Sequence, residues 1–249
     1  MDRWRGKVAI VTGASAGIGA AICARLVEEG CVVVGLARRV ELVQQQAEKL
    51  KGKRGKLYAV KVDMSVEDDI LKAFKWTTEN LGPVHVLVNN AGVLTNANLI
   101  SGETSQWKTV LDTNVLGLCI ATREAIQNMQ ANKVEGHIVH INSITGHTPI
   151  YMQNTNVYGA SKYAVTNLTE ILRKELIDEK IKIKVSSISP GLVNTVLLNN
   201  IGKEEVQSYV EQAPKLNSED VADAVAYVIG TPPHVQIHEL TIKVVGEDY

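Results

Sequence analysis

Seven short runs rich in β-branched residues alternate with longer segments of helical periodicity along the 249-residue chain. This alternation is typical of βαβ units built around a parallel sheet. The first run, KVAIVT at Lys7–Thr12, is apolar enough for a strand buried on both faces. The sequence therefore predicts a single α/β domain over residues 1–249. Its doubly wound, seven-stranded parallel sheet is flanked by about six helices, and ligands are expected at the carboxyl ends of the strands.

The same pattern places the individual elements. The predicted strands are Lys7–Thr12, Cys31–Ala37, Leu57–Asp63, Val84–Asn90, Gly136–Ser143, Ile183–Pro190 and Glu239–Val245. The predicted helices are Ile18–Glu29, a segment ending near Leu50, Val66–Leu81, Glu103–Asn132, Asn156–Lys180 and Ser218–Ile229. Ser218 is expected to be the N-cap of the last helix, with Asp220 in its first turn.

Composition narrows the classes of protein. The net charge is -1, from 26 basic and 27 acidic side chains, which gives no electrostatic reason to expect a nucleic-acid or anionic-membrane partner. Cys23, Cys31 and Cys119 are odd in number and lack CxxC spacing, so free thiols in a reducing compartment are expected. With no apolar run long enough for a transmembrane segment, we expect the protein in the cytoplasm.

A glycine-rich loop, TGASAGIG at Thr12–Gly19, joins the first strand to the first helix. Gly13 can make the tight turn, Gly17 can let the backbone approach a ligand, and Gly19 can let helix and strand pack. The spacing differs from the usual GxGxxG, and a surface turn is the alternative. Its position at the first strand–helix junction favours a Rossmann pyrophosphate site. The expected cofactor contacts are Gly13, Ser15, Ala16, Gly17, Ile18 and Gly19.

Two arginines end the second strand, where NAD-binding proteins often carry an acidic residue. Arg38 and Arg39 favour NADP(H), because guanidinium groups bind a 2′-phosphate that a carboxylate would repel. The alternative is two solvated arginines at a helix start. Asp63, followed by Met64, closes the third strand and either accepts from an adenine amino group or caps the next turn.

Several short motifs then occur in a fixed order. They are TGASAGIG at 12–19, NNAG at 89–92, Asn114 within DTNVLG, INS at 141–143, YGASK at 158–162 and SPG at 189–191. Over nearly its whole length the chain resembles the NADP-dependent short-chain dehydrogenase/reductases. The similarity is greatest to the insect farnesol-dehydrogenase-like branch and its vertebrate ketosteroid-reductase relatives. The C-terminus, KVVGEDY, departs from the DGG element that many members carry.

The resemblance implies a catalytic set of Asn114, Ser143, Tyr158 and Lys162. Tyr158 and Lys162 are four residues apart and share one helical face. The resemblance makes Tyr158 the acid/base, and the charge of Lys162 is expected to lower its phenol pKa. Ser143 would donate to the substrate oxygen. Asn114 would bind a backbone group and a proton-relaying water; an ordinary hydrogen bond to a neighbouring strand is a compatible account.

The resemblance also implies further cofactor contacts and an oligomer. The remaining expected cofactor residues are Asn90, Ala91, Gly92, Pro190, Gly191, Val193 and Thr195. A homodimer or homotetramer is expected, packed through the fourth and fifth helices. No metal is expected, because His137, His140 and His147 lack a completing Cys or carboxylate. His137 and His140 should face opposite sides of the sheet, and His147 either faces substrate or is exposed.

Two segments beyond the strand ends, Thr145–Asn156 and Leu192–Asn217, are expected to enclose the substrate. The alternative is a lid that covers only its own core. Apolar residues predicted to line it are Ile150, Tyr151, Met152, Val193, Val196, Leu197, Leu198 and Ile201, followed by a solvent-facing pair, Glu204 and Glu205. The two segments contain no arginine and only two lysines, Lys203 and Lys215, both in the distal polar part. A small lipophilic alcohol or carbonyl is therefore expected, with a farnesol-like isoprenoid favoured. The alternatives are a ketosteroid or ecdysteroid reductase, and a non-catalytic NADP(H)-binding sensor.

Overall fold

A computed structural model describes residues 1–151, 153–197 and 212–247. Its strands form one sheet of seven parallel strands in the order β3-β2-β1-β4-β5-β6-β7. The strands are β1 Val8–Thr12, β2 Val32–Ala37, β3 Lys56–Lys61, β4 Val84–Asn89, β5 His137–Ile141, β6 Lys184–Pro190 and β7 Glu239–Ile242. The predicted doubly wound sheet is confirmed.

Helices cover both faces of this sheet. They are α1 Gly17–Glu28, α2 Val40–Lys49, α3 Glu67–Leu81, α4 Thr104–Leu111, α5 Gly117–Ala131, α6 Asn156–Asp178 and α7 Ser218–Gly230. The predicted long helix Glu103–Asn132 is instead two α-helices joined by a π-helical turn, Asp112–Leu116. The predicted Ser218 cap is also wrong. Asn217 is the N-cap of α7 and forms a reciprocal capping box with Asp220.

Two apolar cores lie on opposite faces of the sheet. Helices α1 and α7 pack on one face, where Ile22 and Val225 are fully buried. Helices α3 and α5 pack on the other, around buried residues such as Ile70 and Met129. Every residue of β1 is buried, because both faces of this central strand are covered.

The strand order reverses between β1 and β4. After β1 the chain crosses to β2, whereas β4 lies on the other side of β1 and leads on to β5. The loops that follow β1 and β4 therefore diverge and open a crevice at the carboxyl ends of the strands. The fold thus places its ligand site here. Across the described ranges, no helix is long and apolar enough to cross a membrane.

The two histidines of β5 are buried on opposite faces of the sheet. His140 contacts the Thr169 hydroxyl of α6 at 2.8 Å, and His137 contacts the Ser186 hydroxyl of β6 at 2.9 Å. Burial, with a smaller effect from the Lys162 charge, lowers the pKa of His140 to about 4. His140 is therefore a neutral hydrogen-bonding residue of the core at neutral pH.

Candidate active site

A single cleft of about 1120 Å³ lies across the carboxyl ends of the strands. It is lined by every predicted site residue except Asn114. Those lining residues are Gly13, Ser15, Ala16, Gly17, Ile18, Gly19, Arg38, Arg39, Asp63, Met64, Asn90, Ala91, Gly92, Ser143, Tyr158, Lys162, Pro190, Gly191, Val193 and Thr195. The fold therefore joins residues from the ends of six strands, β1 to β6, in one continuous groove.

Two glycines of the loop at one end of the cleft have no room for a side chain. A Cβ on Gly13 would lie 2.8 Å from the Ala91 Cα, and one on Gly19 would lie 2.3 Å from the Gly13 carbonyl oxygen. Gly17 has a φ of +54°, in the left-handed region. Helix α1 begins here behind Ala16, which has no side-chain cap to offer. The loop thus presents bare backbone and a helix N-terminus, an arrangement that suits a phosphate group.

The Thr12 hydroxyl holds the glycine loop against the end of β4. It accepts hydrogen bonds from the backbone N–H groups of Asn90 at 3.0 Å and Ala91 at 2.9 Å. The Asn90 side-chain amide in turn donates to the Thr12 carbonyl at 2.9 Å. These bonds fix the width of the crevice at the point where the strand order reverses.

Arg38 and Arg39 lie exposed at the edge of the cleft beside the glycine loop. Arg39 Nη2 donates to the Ser15 hydroxyl at 3.4 Å. Asp63 also lines the cleft, and its carboxylate accepts from both the N–H and the hydroxyl of Ser65. Burial alone would raise the pKa of Asp63, but the Ser65 hydrogen bonds and the Arg38 charge outweigh it and lower that pKa. Asp63 therefore does cap the following turn.

Tyr158 and Lys162 lie side by side on α6 at the other end of the cleft. Lys162 Nζ is 5.7 Å from the centre of the Tyr158 ring and donates to the carbonyl oxygen of Ile141 at 2.8 Å. Burial lowers the pKa of Lys162 to about 8. It also raises the pKa of Tyr158 to about 12, although the hydrogen bond with Ser143 acts in the opposite direction.

The expectation that Lys162 lowers the pKa of the Tyr158 phenol is therefore wrong for the protein alone. The Lys162 ammonium group is hydrogen-bonded to the end of β5. Removal of the phenolate from water is the larger effect on Tyr158. Of the neighbouring groups, the Ser143 hydroxyl is the one that favours the phenolate.

Ser143 follows β5 and begins a short 3-10 helix, Ile144–Gly146. Its hydroxyl accepts from the Thr145 N–H at 3.1 Å and from the Thr145 hydroxyl at 2.9 Å. Ser143 is thus both a helix cap and a partner of Tyr158. These bonds hold its side chain in one orientation beside the phenol.

Asn114 is buried in the π-helical turn and acts from behind the cleft wall. Its amide accepts from the Val93 N–H at 2.8 Å and donates to the Val93 carbonyl at 3.0 Å. It also donates to the Ser161 hydroxyl at 3.1 Å, and that hydroxyl donates to the Tyr158 carbonyl at 2.6 Å. Asn114 therefore connects the segment after β4 to the start of α6. Its backbone partner, Val93, lies after the end of β4 and not in the strand.

Apolar side chains wall the cleft beyond Ser143 and Tyr158. Of the predicted wall residues, Ile150, Tyr151, Val193, Val196 and Leu197 line it. Met152, Leu198, Ile201, Lys203, Glu204 and Glu205 lie outside the described residues. Lys215, in the distal part, donates to the Ala213 carbonyl at 3.1 Å.

Sequence reasoning missed several lining residues, notably Val93, Leu94 and Thr113. Val93 and Leu94 directly follow the NNAG motif, and this position at a strand end is the signal that could have found them.

His147 packs away from the cleft lining. Its Nε2 is 2.9 Å from the Ser189 hydroxyl and 3.5 Å from a carboxylate oxygen of Glu239. The histidine therefore links the 3-10 helix to β6 and β7. Of the two expectations for His147, exposure is confirmed, and the side chain makes these contacts while it remains exposed.

The glycine loop after β1, the reversal of strand order and the Ser143–Tyr158–Lys162 group define a dinucleotide-dependent oxidoreductase. Residues 7–206 match the family of short chain dehydrogenases, and the chain belongs to that family. The resemblance seen in the sequence motifs is confirmed.

Comparison with individual proteins agrees. The chain is 51% identical to the farnesol dehydrogenase of Aedes aegypti over 252 residues, covering 100% of both chains. It is 43% identical to human dehydrogenase/reductase SDR family member 11, covering 98% of this chain and 96% of that protein. A closed form of serine dehydrogenase complexed with NADP+ superposes with a TM-score of 0.86 at 31% identity, covering 97% and 96% of the two chains.

Proposed function

We propose that this oxidoreductase uses NADP(H) to interconvert a small lipophilic alcohol and its carbonyl compound. The observation that carries the proposal is the continuous cleft. It joins a glycine loop flanked by Arg38 and Arg39 to the Ser143–Tyr158 pair and then to an apolar wall. When bound, the nicotinamide supplies or accepts the hydride at the carbon that bears the reacting oxygen.

The residues at the β1 and β2 ends support NADP(H) as the cofactor. Two exposed guanidinium groups flank the cleft beside Ser15, where a 2′-phosphate would find charge-assisted hydrogen bonds. A relative in the same family was solved with NADP+. Asp63 and Met64 also line the cleft, and Asp63 is proposed to accept a hydrogen bond from the adenine amino group. The glycine loop would hold the pyrophosphate, and the backbone after β4 and β6 would hold the nicotinamide riboside.

Proton movement is assigned to the side chains that surround the reacting oxygen. In carbonyl reduction, Tyr158 donates its phenol proton to the oxygen, and in alcohol oxidation its phenolate accepts that proton. Ser143 donates a hydrogen bond to the same oxygen and stabilises the charge that develops there. Lys162 is proposed to hold the ribose hydroxyls and supply positive charge beside the phenolate. Asn114 positions this group through Val93 and Ser161.

The far wall of the cleft indicates the substrate class. Leu94, Ile144, Ile150, Val196 and Leu197 present apolar surface there. Each buried CH₂ of a ligand would add about 0.8 kcal/mol of binding free energy. The farnesol dehydrogenase among the relatives supports an isoprenoid alcohol as substrate.

The assembly and the compartment are also proposed. Leu111 and Leu116, on α4 and the adjoining π-helical turn, are 45% and 53% exposed. These exposed apolar side chains support a homodimer or homotetramer formed through the predicted fourth and fifth helices, which the structure has as α4–α5 and α6. Cys23, Cys31 and Cys119 are free thiols, which supports a reducing compartment such as the cytoplasm.

NADPH absorbance tests the function directly. Purified protein is mixed with NADP+ and a series of primary alcohols from 1-butanol through geraniol to farnesol, and the reverse reaction is run with the aldehydes. We expect kcat/KM to rise with apolar length. Higher kcat/KM for short polar or carboxylated compounds than for any isoprenoid or steroid would overturn the lipophilic substrate. Cofactor binding without turnover of any alcohol or carbonyl would identify a sensor instead.

A further inference from the structure

Thr145 makes two hydrogen bonds to the hydroxyl of Ser143 from the third position of the same turn. Its backbone N–H donates at 3.1 Å and its hydroxyl donates at 2.9 Å. Both side chains are buried, at 6% and 8% relative exposure, so water does not compete freely for these bonds. Thr145 also lines the cleft, which places this contact at the reacting end of the site.

The Ser143 hydroxyl can form only a limited number of hydrogen bonds. Such a hydroxyl has one proton to donate and two lone pairs that accept. The two donors of Thr145 occupy both lone pairs of Ser143. What remains on Ser143 is its own proton, and it points away from Thr145. Tyr158 lines the same cleft, and the Ser143 hydroxyl acts to lower the Tyr158 pKa, which is the effect expected when Ser143 donates toward the phenol oxygen.

We infer that Thr145 is a positioning residue that commits the one proton of Ser143 to donation into the cleft, toward Tyr158 in the free protein and toward the reacting oxygen when substrate is bound. The inference rests on the proposed function, because it assigns a direction to the hydrogen bonds of that mechanism. Thr145 acts through Ser143, whose proton it directs into the cleft.

Loss of the Thr145 hydroxyl would free one lone pair of Ser143. The phenol of Tyr158 could then donate to Ser143 and leave the substrate oxygen with one donor fewer. That arrangement stabilises the neutral phenol, so it opposes alcohol oxidation, which needs the phenolate as base. Polarisation along the Thr145–Ser143–Tyr158 chain would be lost as well.

Two variants separate the hydroxyl from the shape of the side chain. Thr145→Val keeps the volume and the backbone N–H but removes the hydroxyl, whereas Thr145→Ser keeps the hydroxyl. With NADP+ and the alcohol of the butanol–geraniol–farnesol series that the wild type oxidises fastest, we expect kcat of Thr145→Val to fall on the order of tenfold. The KM for NADP+ should stay unchanged, and Thr145→Ser should restore most of the rate.

The pH dependence gives a readout that simple loss of packing would not move. In the oxidation direction, the apparent pKa of the rising limb of kcat should be higher in Thr145→Val than in the wild type. It should return toward the wild-type value in Thr145→Ser.

A second readout is a double-mutant cycle with Ser143→Ala. If Thr145 acts through Ser143, adding Thr145→Val to Ser143→Ala should cost no further rate.

Three results would overturn the inference. They are a Thr145→Val enzyme with wild-type kcat and pH profile, a Thr145→Ser enzyme as slow as Thr145→Val, and fully additive losses in the cycle with Ser143→Ala. These differ from failure of the proposed function, in which Ser143→Ala and Tyr158→Phe would both retain wild-type turnover. Urea denaturation of each variant verifies that a fall in rate comes from folded protein.

Discussion

The side chain of Asn114 pairs with the backbone of Val93 through two hydrogen bonds, one accepted at 2.8 Å and one donated at 3.0 Å. The Asn114 amide thus forms with Val93 the pair of backbone hydrogen bonds that a neighbouring β-strand would otherwise form. It lies in a π-helical turn, a local irregularity that often occurs at functional sites. The extra residue in this turn directs Asn114 toward the segment after β4.

Replacing Asn114 by alanine should destabilise the protein. The change leaves the Val93 N–H and carbonyl groups without their side-chain partner, and unfolding free energy should fall by about 2–4 kcal/mol. Urea denaturation measures this. Asn80→Ala is the control, because Asn80 is exposed and bonds within its own helix, so its loss should stay within about 0.5 kcal/mol. Equal stabilities of the two variants would contradict the anchoring role.

The buried Lys162 ammonium group should lower the free energy of unfolding by an amount that depends on pH. Burial lowers its pKa from 10.5 to about 8, so the folded state disfavours the charged form. Below pH 8 the penalty is fully present. It disappears between about pH 8 and 10.5, where the unfolded chain still holds the proton and the folded protein does not. Wild-type stability should therefore gain from this group as the pH rises through that window.

The variant Lys162→Met isolates the effect. At pH 7 this variant should be more stable than the wild type by on the order of 3 kcal/mol, reduced by the loss of the hydrogen bond to Ile141. It should also be inactive. The advantage should shrink by pH 10. Lys174→Met, at an exposed position of the same helix, should show no such pH dependence. Urea titrations at both pH values make the comparison. A Lys162→Met advantage that stays constant with pH would contradict the lowered pKa.

The strands and helices, and the residues that line the glycine-loop end of the cleft, could be predicted because local sequence determines them. Apolar runs define the strands, and glycines such as Gly13 and Gly19 stand where a Cβ would collide with backbone. The π-helical turn could not be predicted, since the partner that Asn114 bonds from this turn, Val93, is 21 residues away in the sequence. The pKa of Tyr158 was misjudged for a related reason: burial is a property of the assembled core, whereas helical spacing showed only its distance from Lys162.

Arg38 and Arg39 should determine which dinucleotide binds. Replacing both by alanine removes the charges expected to bind a 2′-phosphate, so NADPH affinity should fall by about 2–4 kcal/mol in binding free energy while NADH affinity barely changes. Fluorescence titration with each cofactor measures the difference. Arg54→Ala, at an exposed position that does not line the cleft, is the charge-matched control. Equal losses for NADPH and NADH would show that the two arginines do not recognise the phosphate.

The most direct test of the mechanism is turnover by Tyr158→Phe, which keeps the ring and removes the proton. With NADP+ and farnesol, we expect kcat to fall by roughly 100- to 10,000-fold, as for the loss of a general acid/base, while NADPH affinity stays close to that of the wild type. Tyr163→Phe is the matched control, since Tyr163 lies on the same helix and is 40% exposed; it should retain wild-type activity. A Tyr158→Phe enzyme that turns over at the rate of Tyr163→Phe would contradict the assignment of Tyr158 as the acid/base.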